Sequence, residues 1–256
     1  RSLACGVSGL EVDGVVLVAR RRARLDALAE EIVAIARRRK PLFAVRVVEA
    51  DLSDAAKGVA AVVSATSDLE VDLLVNNAGF SVGCCDFDRL ISGGLDAELS
   101  VNVRSPMLLA HAFLPGMVAR GRGRVLNISS IAAVIPAPFM ATYGASKAWL
   151  YTWSLALTRE LASTPVSVTC YCPGHLRTEF DAVAGSSGRM LSNIPALSET
   201  DVDRVARHAL SCTVRRKRWA TNGWMNWLNM MTAGVVPFGL LLAVTAWMQR
   251  IPGCRA

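Results

Sequence analysis

The sequence predicts an α/β fold: a doubly wound parallel sheet with helices on both faces, three layers deep. Three observations carry this. Short apolar runs alternate with amphipathic segments along the chain, the pattern of repeated βαβ units. At 256 residues the chain can bury one large core. With 52% hydrophobic residues, disorder is excluded for most of it.

The elements follow in order. Gly14–Ala19 is apolar on both faces, as a buried strand is. Residues 23–39 place Leu25, Leu28, Ile32 and Ile35 at helical spacing. Phe43–Ala50 is the next strand and ends at Asp51; residues 54–67 form the helix after it. Leu73–Val75 is a strand that runs into Asn76–Asn77–Ala78–Gly79. A helix over 96–119, a strand at Arg124–Ile128 and a long helix over 142–162 come next. Val166–Tyr171 is a strand stopped by Pro173–Gly174. Residues 175–198 carry Gly, Ser and Pro and read as a loop or lid; 200–214 read as a helix. Neither a repeat nor a linker interrupts residues 1–218, so they form one domain, with an extension at 219–256.

That extension differs in chemistry. From Trp219 to Gln249 there is no charged side chain, and Met230–Met248 is almost wholly apolar. Two readings stand. One is a substrate-pocket helix with a hydrophobic dimer surface. The other is a membrane-associated tail with Arg215–Arg216–Lys217–Arg218 on the cytoplasmic side, broken at Pro237 so that it lies on the bilayer.

The net charge is +7. It gathers in short basic runs, which read as solvated helix ends, as a site for a cofactor phosphate at Arg20–Arg22, or as a lipid contact at 215–218. No aromatic residues interleave these runs, which argues against a nucleic-acid groove. The cysteines include none spaced Cys-x-x-Cys, and Cys170 and Cys172 share a strand face; reduced core thiols and a reducing compartment are expected. The three histidines lack metal-ligand spacing. A signal peptide is not visible, and the first residue is not Met.

The chemistry centres on Tyr143 and Lys147. Four apart on a helix, they share one face. A nearby ammonium is expected to pull the phenol's pKa down, so that Tyr143 serves as general acid or base. Ser130 follows the strand Arg124–Ile128 at the carboxyl edge of the sheet, where it can bond the same carbonyl oxygen. Its bland role is a helix cap, which Ser129 could equally fill. Asn102 sits mid-helix, a poor place for Asn unless its amide has a task.

Asn76–Asn77–Ala78–Gly79, Asn102, Ser130, Tyr143, Lys147 and Pro173–Gly174 together resemble the short-chain dehydrogenase/reductase pattern, over residues 11–180. The resemblance implies a Rossmann-like fold and a role for each position. Tyr143 is the proton donor. Ser130 orients the carbonyl. Lys147 holds the nicotinamide ribose and tunes Tyr143, and Asn102 anchors a relay water. Asn77, Ala78 and Gly79 support the central sheet and the adenosine side. Asp51 and Leu52 contact adenine. Pro173 and Gly174 line the nicotinamide, and Thr178 bonds its carboxamide or the phosphates. Long paired helices imply a homo-oligomer.

Arg20 and Arg21 stand where an NAD site places a carboxylate on the ribose, so NADP(H) is favoured over NAD(H). The family's opening strand, glycine-rich loop and helix are truncated or degenerate here. Gly6 and Ser8 are the nearest loop candidates, and only Glu11–Val12–Asp13 separates Leu10 from Gly14. Phe80, Phe87, Phe180, Met190 and Leu191 suggest an apolar carbonyl or alcohol substrate. The apolar tail resembles the membrane-associated branch that reduces 3-oxoacyl chains, sphingoid ketones or steroids. Two hypotheses remain: an active reductase, and a non-catalytic scaffold with a damaged cofactor loop. A fragment of an active enzyme is a third.

Overall fold

The computed structural model describes residues 11–38, 40–176, 178–180, 184, 198–199 and 201–249. Its strands are β1 (Gly14–Ala19), β2 (Ala44–Glu49), β3 (Leu73–Asn76), β4 (Arg124–Ile128), β5 (Ser167–Tyr171), β6 (His175–Leu176), β7 (Ser198–Glu199) and β8 (Trp219–Ala220). The principal helices are α1 (Arg22–Ala36), α2 (Ala55–Ala65), α3 (Ser92–Leu99), α4 (Ser105–Ala119) and α5 (Ala141–Glu160). After them come α6 (Val202–Val214), α7 (Trp224–Thr232) and α8 (Phe238–Gln249).

All pairings are parallel, but the sheet is divided. β1 pairs with β2, and β3, β4, β5 and β8 form a second sheet in that order. Among the described residues no strand joins β1 to β3. This is where the shortened opening segment was expected to tell. Gly6 and Ser8 lie outside the described residues.

The side chains of each strand alternate between two helix layers. Val16 and Val18 pack with Val48, Leu74, Val125 and Val168 against Val59 and Val62 of α2 and Leu109 and Met117 of α4. Val15 and Leu17 point the other way, to Ile32, Ala36 and Phe43. On that second face Leu126 and Tyr171 meet Val205, Ala209 and Leu210 of α6. Burying such side chains contributes roughly 1.5–3 kcal/mol each, so the layering follows from the apolar pattern.

Two expectations are refined. The helix foreseen over 96–119 is α3 and α4 joined by a π-helical turn, Ser100–Arg104. Trp219–Ala220, placed in the extension from sequence, pair with Cys170 and Tyr171 in the sheet. The strand direction separates the basic run 215–218, at the amino edge, from the start of α7 at the carboxyl edge. The break foreseen at Pro237 falls between α7 and α8.

Candidate active site

The site is built at the carboxyl ends of β3, β4 and β5. β3 ends in Asn76, which is buried and donates from Nδ2 to Asn127 Oδ1 at 2.8 Å. Asn127 Nδ2 donates to Ser154 Oγ at 2.8 Å, and Ser154 to the Leu150 carbonyl at 2.6 Å. This chain of bonds ties β3 and β4 to α5. It is Asn76, not Asn77, that supports the sheet, because Asn77 is exposed beyond the strand end.

Gly79 follows. A Cβ there would come 2.9 Å from Lys147 Nζ and 3.1 Å from Asn102 Oδ1. Any larger residue would make the lysine ammonium shift.

Asn102 lies in the π-helical turn and is fully buried. Its Nδ2 donates to Phe80 O at 2.9 Å and to Ser146 Oγ at 3.0 Å, and its Oδ1 accepts from Phe80 N at 3.1 Å. Widened turns of this kind recur at functional sites. The amide replaces a strand partner for Phe80, which explains Asn within a helix. Ser146 passes the link on, donating to Tyr143 O at 2.7 Å. One turn before Asn102, buried Glu98 accepts from Val82 N at 2.8 Å.

Ser129 and Ser130 divide their roles. Ser130 Oγ accepts from Ala132 N at 3.2 Å and caps a short 3₁₀ turn, whereas Ser129 Oγ donates to Lys147 O at 2.8 Å. Lys147 Nζ donates to Ile128 O at 3.0 Å and lies 5.7 Å from the Tyr143 ring centroid. The ammonium thus faces the ring rather than the hydroxyl. This corrects the expectation that it brings the phenol's pKa down. Burial dominates and pushes Tyr143 up to about 12, against a hydrogen bond with Ser130; the Glu98 charge pushes it up further. Burial also pushes Lys147 down to about 8, opposed by Cys170, Cys172 and Glu98.

The expected cofactor contacts fall into three groups. Arg20 and Arg21 are exposed past the end of β1. Arg20 Nε is 4.0 Å from Asp51, and Glu179 pairs with Arg21 at 3.3 Å and Arg24 at 2.8 Å. Asp51 caps locally, accepting from Ser53 N, which holds its carboxyl below the usual range. Leu52 turns its side chain to the core while its carbonyl accepts from Ser100 and Ser105. On the nicotinamide side, Pro173 O accepts from Ile131 N at 3.0 Å, and Gly174 N donates to Asn222 Oδ1 at 2.9 Å. Thr178 is exposed, and the Phe180 ring lies 5.3 Å from that of Tyr143. Met190 and Leu191 lie outside the described residues, and Phe87 is exposed.

The described residues fit a nicotinamide dinucleotide at both ends: a glycine cradle beside Lys147, and guanidinium groups past β1. Sequence reasoning passed over Glu98 and Ser146, and named Asn76 only as part of its motif, giving the sheet-supporting role to Asn77, Ala78 and Gly79. Glu98 and Ser146 each sit four residues or one residue from a recognised position, but only tertiary packing shows that they face inward.

Comparison with known proteins agrees with this geometry. Residues 9–187 match the short chain dehydrogenase family model. The chain is 30% identical over 207 residues to a hydroxysteroid dehydrogenase-like protein 1 of Gallus gallus, covering 80% of this chain and 59% of that protein. It is 29% identical to the inactive hydroxysteroid dehydrogenase-like protein 1 of Homo sapiens, covering 87% of this chain and 64% of that one. With a very-long-chain 3-oxoacyl-CoA reductase of Laccaria bicolor it shares 34% identity, over 65% of this chain and 47% of the relative. It therefore spans less than two thirds of the length of these relatives. A solved short-chain dehydrogenase from Sphingobium yanoikuyae, in complex with NADPH, superposes with a TM-score of 0.71 at 29% identity, covering 95% of this chain and 88% of that one. Fold, site and relatives agree that the chain belongs to the short-chain dehydrogenase/reductase family, in its reductase-like branch.

Proposed function

We propose that the chain is an NADPH-dependent reductase of an apolar carbonyl compound: a 3-oxoacyl chain, a long-chain ketone or a steroid-like ketone. The observation that carries this is the convergence of Asn102, Ser130, Tyr143 and Lys147 around the Gly79–Phe80 turn. A chain without chemistry has no physical need for that set.

A bound nicotinamide dinucleotide would supply the hydride. Lys147, against Gly79, would hold its ribose, and Asn77–Gly79, Pro173, Gly174 and Thr178 would line it. Tyr143 gives its proton to the carbonyl oxygen as charge develops there. Ser130, whose oxygen accepts from Ala132 N, offers its hydrogen to the same oxygen. Asn102 clamps Phe80 and keeps one Oδ1 lone pair for a relay water. Phe180 presents an apolar face beside Tyr143, which suits an apolar substrate.

The NADPH preference rests on Arg20 and Arg21. Their pairs with Asp51 and Glu179 are exposed, and such pairs contribute roughly 0–1 kcal/mol. A 2′-phosphate replaces them readily, with bidentate geometry. Fluorescence titration with NADPH and NADH tests this. Saturable binding that favours NADPH supports the reading; equal affinity removes the preference.

A second reading, a non-catalytic scaffold, is favoured by the shortened opening segment of the sequence and by the relative named inactive. Turnover of apolar ketones with NADPH by this chain would remove it.

No helix among the described residues is long and apolar enough to cross a membrane. We place the chain instead at a membrane surface, on the cytoplasmic side. Trp224, Trp227, Leu228 and Met231 of α7 and Leu240, Leu242 and Val244 of α8 are exposed. Such patches mark docking surfaces. Co-sedimentation with phospholipid vesicles, lost on Trp224→Ser with Trp227→Ser, is the expected result. Self-association without vesicle binding would assign the face to a homo-oligomer.

A further inference from the structure

Glu98 is fully buried in α3, which packs against α5, the helix of Tyr143 and Lys147. Burying a carboxylate is unfavourable unless it is bonded or paired. Glu98 Oε2 accepts from Val82 N at 2.8 Å, but Oε1 has no hydrogen-bond partner. One backbone donor does not account for a buried charge. The remaining compensation must come from the field around it.

Lys147 supplies that field. It too is buried, at 4% exposure, and its Nζ donates to Ile128 O beside Gly79. The groups that face Lys147 are Tyr143 on its own helix, Glu98 from α3, and Cys170 and Cys172 from the β5 strand and its end. Those that face Glu98 are Lys147 and Tyr143. Two opposite charges within one low-dielectric pocket stabilise each other without touching.

We infer that Glu98 is a positioning residue of the catalytic pair: its carboxylate is the counter-charge that keeps Lys147 an ammonium and Tyr143 a phenol, and so favours proton donation over proton abstraction. The directions agree. Burial raises Glu98 above the usual carboxylate range, while the Val82 amide and Lys147 hold it down. The Glu98 charge raises both Lys147 and Tyr143. A role confined to clamping Val82 would need only an acceptor oxygen, which a glutamine also has.

This inference rests on Tyr143 and Lys147 being the catalytic pair, yet its test needs no turnover. The chain has lysines only at 40, 57, 147 and 217, so ¹³C-labelled lysine side chains give resolvable NMR titrations, with Lys147 assigned by Lys147→Arg. Lys147 is expected to titrate well below the usual lysine range, at about 8. In Glu98→Gln its midpoint falls further, by about one pH unit for the loss of a nearby charge. An unchanged midpoint in that variant overturns the inference and leaves Glu98 a clamp. Should Glu98→Gln not fold, the unsubstituted chain decides. The Glu98 carboxyl must ionise below the Lys147 midpoint; a carboxyl still protonated there was never a counter-charge. Where the chain turns over, the pH at which reduction declines shifts down in Glu98→Gln, in step with Lys147. Coupled titration without turnover would sink the reductase reading and leave standing only the counter-charge of Glu98 on Lys147; turnover with uncoupled titration would overturn the inference and spare the reductase reading.

Discussion

Tyr143 and Lys147 set the behaviour of the site at the scale of single residues. Tyr143→Phe removes the proton and little volume, so reduction is expected to fall by roughly 10²–10⁴-fold with the melting temperature unchanged. Steady-state rates alongside a thermal scan check this. The pH dependence follows from Lys147, whose pKa burial lowers to about 8. Reduction is expected to decline as pH rises through that value and the ammonium is lost. Stability moves the opposite way over the same group. Between about 8 and its ordinary 10.5 the unfolded chain binds a proton that the folded chain does not, so this group makes stability rise with pH there. Tyr143, Lys147, Ser130 and Asn102 were all legible in the sequence, because their spacing is chemical. The direction of the Tyr143 shift was not. It depends on the ammonium lying over the ring rather than against the hydroxyl, and no spacing states that.

Among the elements, β3, β4 and α5 are held by the Asn76–Asn127–Ser154 bonds. Asn127→Leu strands Asn76 Nδ2 and removes a donor to Ser154 in a buried setting. A loss of about 1–3 kcal/mol for each unsatisfied group is expected, read as a lower urea midpoint. Gly79→Ala acts differently. The added Cβ meets Lys147 Nζ and Asn102 Oδ1, both fixed by other bonds, so cofactor affinity is expected to fall while the fold survives. Isothermal titration with NADPH checks it. Strand and helix bounds were readable wherever an apolar run ended in a polar residue, as at Asn76 or Asp51. The helix over 96–119 was read as continuous because its apolar pattern hardly breaks. Its π-helical turn comes from Asn102 reaching Phe80, a contact 22 residues away in sequence.

At the scale of the whole molecule, the described strands fall into two main groups, β1–β2 and β3–β4–β5–β8. β1 and β2 share α1 and a cluster around Ile32, Ala36 and Phe43, and reach the larger core through Val16, Val18 and Val48. Units joined this way open separately. Amides of β1 and β2 are expected to exchange faster than those of β4 and β5, measured by hydrogen–deuterium exchange. Equal protection throughout would show one cooperative unit. The sequence places only three residues between Leu10 and Gly14, where the family pattern has a full helix; the segment before them lies outside the described residues.

The π-helical turn has a further consequence. Ser105 N bonds back five residues to Ser100 O, so the turn holds one residue more than an α-helix would. That residue is taken up inside the turn, so the helices on either side keep a common winding. Glu98 and Asn102, before and within it, face Val82 and Phe80; Leu109 and Met117, beyond it, face the core. Deleting any one of Val101, Asn102 or Val103 would turn that bond into an ordinary α-helical one and leave everything downstream in its place. Ser105 would keep the Leu52 carbonyl and Met117 the core, while the widened turn that carries Asn102 to Phe80 would close. The extra residue is therefore a demand of the site and not of the core: a chain shortened here is expected to fold with α4 seated and its Asn102 clamp unmade.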